Sequence, residues 1–120
     1  MITLDQQRAQ YAWGCANRNT VVAGYREMVK GAAALVMGNG LMATLAYYRS
    51  RNGSNERAAQ LLLADLLGWL GKRAIVPADF AAAMNEFFGA DAQGLMHATD
   101  EALAMLRWLR QFADAVEKTR

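Results

Sequence analysis

The sequence predicts an all-α protein, a compact bundle of about five to six helices. Three observations predict it. Ala, Leu and Met are abundant and there is one proline, Pro77, a composition that favours helix. Runs of Val, Ile and Thr, the usual material of strands, are almost absent. Apolar residues recur three and four apart in segment after segment. With 120 residues and 54% hydrophobic content, the chain has room for one core, so residues 1–120 are expected to form a single domain.

Each element has its own warrant. Thr3 and Gln6 have the spacing of a capping box and should open a first helix that runs to about Arg18, with Ala9, Ala12, Trp13 and Ala16 as its stripe. Asn19-Thr20 reads as a short break, with Thr20 capping a second helix whose inner face is Val22, Tyr25, Val29, Ala32 and Val36. Gly38-Asn39-Gly40 stops that helix, since Gly and Asn tolerate the backbone that follows helix ends. A third helix is expected from Leu41 to about Arg51. Asn52-Gly53-Ser54-Asn55 then forms a loop, and Asn55 caps the fourth. Leu62, Leu63, Leu66, Leu67, Trp69 and Leu70 make the fourth helix central, while Ala64, Gly68 and Gly71 leave room for close approach on one side. Pro77 suits the first turn of a fifth helix, which carries Phe80, Met84, Phe87 and Phe88 and ends near Gly89. The rest is helical from about Asp91 to Glu117, with a break expected near Thr99 and a seam of Leu95, Thr99, Ala102, Leu106, Leu109, Ala113 and Val116.

Composition also bounds function. The lone Cys15 has no disulfide partner, no basic region precedes an apolar leader, and no run reaches a bilayer's thickness, so a cytoplasmic location away from membranes is expected. His97 is the single histidine and has no Cys or His at helical spacing, so no metal site is expected. Cys15 lies inside a helix without an evident base, which suits a buried thiol better than a nucleophile. Gly38-Asn39-Gly40 lacks the frame of a phosphate loop. Adjacent Asp100 and Glu101 point in different directions and suit a helix start better than paired acid–base work. The expectation is a chain with no catalytic residues and no cofactor.

The charge pattern offers a binding role instead. Net charge is +2, yet residues 1–60 hold seven Lys/Arg against three acids, and the second half is acidic. Arg8, Tyr11, Cys15 and Arg18 lie beside the first apolar stripe, where arginine and tyrosine together suit phosphate and base contacts. Arg26 and Lys30 are four apart, with Glu27 placed to pair with Lys30. Tyr47, Tyr48, Arg49 and Arg51 end the third helix, where arginine also complements the helix dipole. Arg107 has no acid at i±3 or i±4, whereas Arg110 has Asp114. A solvated surface accounts for each cluster taken singly. Trp13, Trp69 and Trp108 have core-like or interface-like spacing.

Three blocks of sequence add a resemblance. Tyr25–Ala46, with Lys30, Asn39-Gly40-Leu41 and Leu45-Ala46, resembles the signature of the small subunit of type III-B CRISPR effector complexes, the Cmr complexes. Thr99–Ala113 resembles that family's closing motif, and Leu4–Ala9 with Ala12 and Trp13 is similar to its opening. The blocks occur in family order and span nearly the whole chain. The chain departs from the family pattern at Ala33, Met37 and Gln111.

The resemblance implies a non-catalytic subunit that stacks along the backbone filament, self-associates along it and helps hold the guide–target RNA duplex in antiviral defence. Its partners would be other Cmr subunits, above all the backbone subunit, and guide and target RNA. Arg8, Lys30 and Arg110 are the motif positions implied for RNA backbone contacts. Gly40, Leu41, Leu109 and Phe112 are implied for the fold, Asn39 for the same turn, and Trp108 for core or subunit packing. Arg26, Arg49, Arg51 and Arg107 are added as RNA candidates from the charge pattern. A protein-only adaptor and a helical DNA-binding regulator are the alternative readings.

Overall fold

A computed structural model describes all 120 residues. It has six helices and no strand: α1 (Leu4–Asn19), α2 (Tyr25–Asn39), α3 (Leu41–Ser50), α4 (Glu56–Lys72), α5 (Phe80–Phe88) and α6 (Ala92–Thr119). The bundle is flat, 43 × 43 × 23 Å. No helix is long and apolar enough to cross a membrane.

Local signals set most boundaries. The capping box forms at α1: the Gln6 amide donates to Thr3 Oγ1 at 3.1 Å and the Thr3 amide to Gln6 Oε1 at 2.6 Å. Gly40 alone joins α2 to α3, at φ +89°, a left-handed value that other residues adopt only with strain. Leu41 is buried directly after it.

Four boundaries differ from expectation. Thr20 closes α1 rather than capping α2, because its hydroxyl and amide both donate to the Ala16 carbonyl. The chain then turns through residues 20–24, and α2 starts only at Tyr25. Asn55 stands at the start of α4 but makes no side-chain cap. Pro77 lies before α5, since Asp79 is the cap, accepting from the Ala82 amide at 3.0 Å. The expected break at Thr99 is absent: its hydroxyl donates back to the Leu95 carbonyl at 2.8 Å, and buried Ala98, Glu101 and Ala102 carry the helix through.

α6 is the organising helix. α1 runs beside it in the same direction, with Arg8 against Glu101 and Asn17 against Arg120, and this is the most extensive pairing in the bundle. α2 lies antiparallel to α6 on another side. α4 crosses the interior, with Leu62, Leu66, Trp69 and Leu70 all buried. Trp13 departs from core burial: it is 36% exposed and packs edge-on against Phe112, which stacks on Trp108. Of the residues beside the first apolar stripe, Arg18 is exposed, while Arg8 and Tyr11 turn partly inward and Cys15 is buried as its position suggested. Cys15 is fully buried, and Tyr11 packs on Trp69 with its hydroxyl donating to the Asp65 carbonyl at 2.7 Å. A Cβ at Gly68 would lie 2.5 Å from that hydroxyl, so this glycine permits the α1–α4 approach.

Asp65 sits in the middle of this apolar helix, 5% exposed. The Tyr25 hydroxyl and the Asn19 amide both donate to its Oδ2, tying α1 and α2 to α4. Burial raises its pKa above the ordinary carboxylate value, so the native state gives up this proton at a higher pH than the unfolded chain does. Stability from this group therefore falls as pH rises above the ordinary carboxylate range. Asp65→Asn keeps an acceptor for both donors and removes the buried charge. In urea titrations the variant should gain on the wild type between about pH 4 and pH 7, whereas Asp65→Ala, which orphans both donors, should lose about 2–3 kcal/mol at either pH.

Candidate nucleic-acid interface

The antiparallel contact of α2 with α6 gathers basic side chains from both halves of the sequence. Positions 26 and 30 of α2 and 107 and 110 of α6 recur at three or four residues, so each pair shares one helix face. Arg26 Nε donates to Asp114 Oδ1 at 2.8 Å, and Lys30 Nζ is 3.9 Å from the same oxygen. Lys30 thus faces Asp114 across the helix pair rather than Glu27 on its own helix. Asp114 is held below its ordinary pKa, first by the hydrogen bond from Arg26 and then against its partial desolvation. Arg110 leaves Asp114 to Arg26 and reaches the Lys30 carbonyl instead, at 3.4 Å. Arg107 is exposed and makes no ion pair.

Between the two helices runs a groove of about 430 Å³. Val29, Ala33, Leu103 and Leu106 form its floor, with exposed Met37 also in the lining and Arg107, Arg110 and Gln111 on the α6 side. The positions that depart from the family pattern, Ala33, Met37 and Gln111, all line it. One edge is cationic, the floor is apolar, and Asp100 is the only acid in the lining. The arrangement suits an anionic polymer along the rim better than a small-molecule reaction. No three His, Cys, Asp or Glu side chains converge to hold a metal. Burial pushes the Cys15 thiol up to about 12, far from a reactive thiolate.

The other sequence candidates are dispersed. Arg49 lies 5.9 Å over the Phe80 ring, joining α3 to α5. Arg51 lies 5.5 Å over the Tyr47 ring, and its Nη1 donates to the Tyr47 hydroxyl at 2.7 Å. Asn39 is exposed at the end of α2, and Leu109 is fully buried. Trp108 clamps α6 to α1 by donating from Nε1 to Asp5 at 3.1 Å.

Arg8, implied by the resemblance for RNA backbone contact, faces inward instead. Its Nε and Nη2 each donate to a Glu101 oxygen at 2.9 Å, and its Nη1 donates to Asp5 at 3.2 Å. Only 19% of its side chain is exposed. Glu101 also accepts from Trp69 Nε1 at 3.0 Å, with Arg73 Nε 3.5 Å away. One carboxylate therefore joins α1, α4 and the α4–α5 connection to α6. The fork belongs to the fold because a guanidinium and a carboxylate in bidentate contact satisfy each other where water is scarce.

Glu101 stands in the sequence where a helix start is expected, and neither it nor Asp65 belongs to the basic clusters. A lone carboxylate within Leu61–Leu70, at the same helical face as Leu62, Leu66 and Trp69, was the available signal for Asp65. Glu101 had a comparable one, lying between buried Ala98 and Met105 at i−3 and i+4.

The hydrogen bond from Arg8 lowers the Glu101 pKa from 4.5 to about 2, against the opposing effect of burial. The network contributes its full stability above about pH 4.5 and loses it as pH falls toward 2. Glu101→Ala strands the arginine and the indole, and chemical denaturation at neutral pH should show a loss of about 3–5 kcal/mol. That deficit should shrink in acid.

Two comparisons with known proteins match this architecture. The family model described as CRISPR-associated protein (Cas_Cmr5) matches residues 4–116. The fold is similar to the crystal structure of a CRISPR-associated Cmr5 family protein from Thermus thermophilus, with a TM-score of 0.79 and 29% sequence identity, over 96% of this chain and 97% of that one. From the opening capping box to the last turns of α6, the chain belongs to the Cmr5 family of CRISPR-associated proteins, small subunits of type III-B Cmr complexes.

Proposed function

We propose that this chain is a non-catalytic Cmr subunit that stacks along the backbone filament and helps hold the guide–target RNA duplex with its α2/α6 face, in cytoplasmic antiviral defence. The observation that carries this reading is the convergence of Arg26, Lys30, Arg107 and Arg110 on one antiparallel helix pair. Arg107 and Arg110 are exposed and project from a rigid helix, where they meet phosphates without rearrangement. Base pairing with the guide reads sequence, so the protein's part is electrostatic and geometric. One copy holds RNA weakly, and repetition along the filament multiplies that hold. Arg8 supports the surface from inside, and Arg49 and Arg51 lie outside it.

The apolar floor of the groove favours a second reading, a protein-only adaptor that seats part of another subunit there. The two separate by experiment. In the assembled complex, Lys30→Ala with Arg110→Ala should lower target-RNA retention, and Arg107→Ala should lower it further. The salt dependence should become shallower by about 0.7–0.9 in log–log slope for each phosphate contact removed. Retention unchanged at every salt concentration, together with no photo-crosslink from target RNA to this chain, would leave the adaptor. Tight preference for a palindromic DNA duplex would point to a regulator instead.

A further inference from the structure

α5 is held to the bundle by two buried residues, Ala83 and Phe87, with Phe80 under the Arg49 guanidinium. Its outward face is apolar and acidic. Phe88 is 71% exposed, more than any other aromatic side chain here. The fold gives no reason for a phenylalanine at that position, since Phe80 and Phe87 already make the inward face. From Ala74 to Leu106 there is no lysine or arginine, and the exposed acids around α5 are Asp79, Glu86 and Asp91. Asp79 and Asp91 cap helices, whereas Glu86 makes no ion pair. At about 100° per residue, Glu86 and Phe88 fall on opposite flanks of α5, with exposed Ala81 and Asn85 between them.

The α2/α6 groove has the complementary character. Its floor is apolar on both helices, Met37 in its lining is 70% exposed, and Arg107 on its α6 side has no carboxylate partner. Methionine adapts its shape to an incoming side chain. Phosphates gain nothing from such a floor, so RNA along the rim leaves it uncovered. None of the residues lining the groove belongs to α5 or to the concavities that flank it. The two surfaces are therefore separate places on one molecule, and a contact between them is heterologous, repeating head to tail from copy to copy.

We infer that the α2/α6 groove seats α5 of a second copy of this chain, with Phe88 against Ala33 and Met37 on the α2 side and Glu86 against Arg107 on the α6 side. An apolar, acidic helix meets an apolar, basic groove, so burial supplies the attraction and charge sets the direction of the seated helix. Asp100, the one acid in the lining, lies about two turns of α6 from Arg107 and does not oppose Glu86 there. A guanidinium carries five N–H groups, so Arg107 serves this carboxylate and a phosphate together. Ala33 and Met37 depart from the family pattern, so the floor is particular to this chain. The inference rests on the reading of this chain as a subunit that stacks along a filament, and adds which two surfaces meet.

The test uses the full chain with a benzophenone photo-crosslinker at position 88, in a mixture of isotopically light and heavy copies. Light-to-heavy crosslinks should map to Ala33–Met37. In sedimentation experiments without RNA, the mass of the wild type should rise with concentration past that of a dimer. Phe88→Ser, an exposed change that should leave the circular dichroism and melting temperature unaltered, should stay monomeric. Glu86→Arg and Arg107→Glu should each weaken association about tenfold, and the two together should recover most of it. A wild type that stays monomeric and forms no crosslink, Phe88→Ser that associates like the wild type, or a double reversal no better than either single one would overturn the inference. Crosslinks between copies that map elsewhere keep the stacking and sink this contact. Crosslinks at Ala33–Met37, with RNA retention unchanged in Lys30→Ala with Arg110→Ala, sustain this contact and sink the phosphate surface.

Discussion

Glu101 is the constraint around which the bundle is arranged. Its two oxygens accept two hydrogen bonds from Arg8 and one from Trp69, with Arg73 alongside, so one side chain sets how α1 and α4 stand against α6. Leucines and alanines make these helices adhere, yet apolar contacts are permissive about sliding by a turn. A bidentate ion pair is not. Sliding α1 along α6 by one turn would strand a buried carboxylate and an indole donor together. The long α6 runs unbroken through Thr99 and carries Arg107 and Arg110 alongside α2.

The same chemistry divides the arginines into two populations. Arg8 and Arg73 turn inward to a buried acid, whereas Arg107 and Arg110 lie along a groove with little competing negative charge. Arg26 is intermediate, engaged by Asp114 near the surface, where such pairs are weakly held and exchange readily for another anion. The basic surface is thus assembled from both halves of the chain. The excess of positive charge in residues 1–60 does not form a face of its own, because Arg8 is internal and Arg49 and Arg51 lie against aromatic rings.

The helices were legible because their signals are local. The Thr3–Gln6 box, the Gly40 turn and the Leu62–Leu70 face each act within a few residues, and the structure contains them as read. Boundaries failed where two local signals competed: Thr20 could cap forward or close backward, and Asp79 displaced Pro77 as the helix start. The site was legible as a set of residue types and not as a place. Periodicity tells which side chains share a face of one helix, but Arg26 meets Asp114 and Arg8 meets Glu101 across some ninety positions, 88 and 93 respectively. The Tyr47–Arg51 stack was within reach of sequence, being four residues apart on one helix end.

The pairing of α1 with α6 also bears on how the protein is made. α6 carries the partners of α1, α2 and α4, and it is the last of the six helices to leave the ribosome. Until it emerges, Arg8 and Trp69 have no carboxylate, and the faces of α1 and α2 that pack on α6 stay uncovered. The nascent chain holds short helices and the α2–α3 hairpin but no closed core. Closure waits on α6, so the bundle can close only once that helix has emerged.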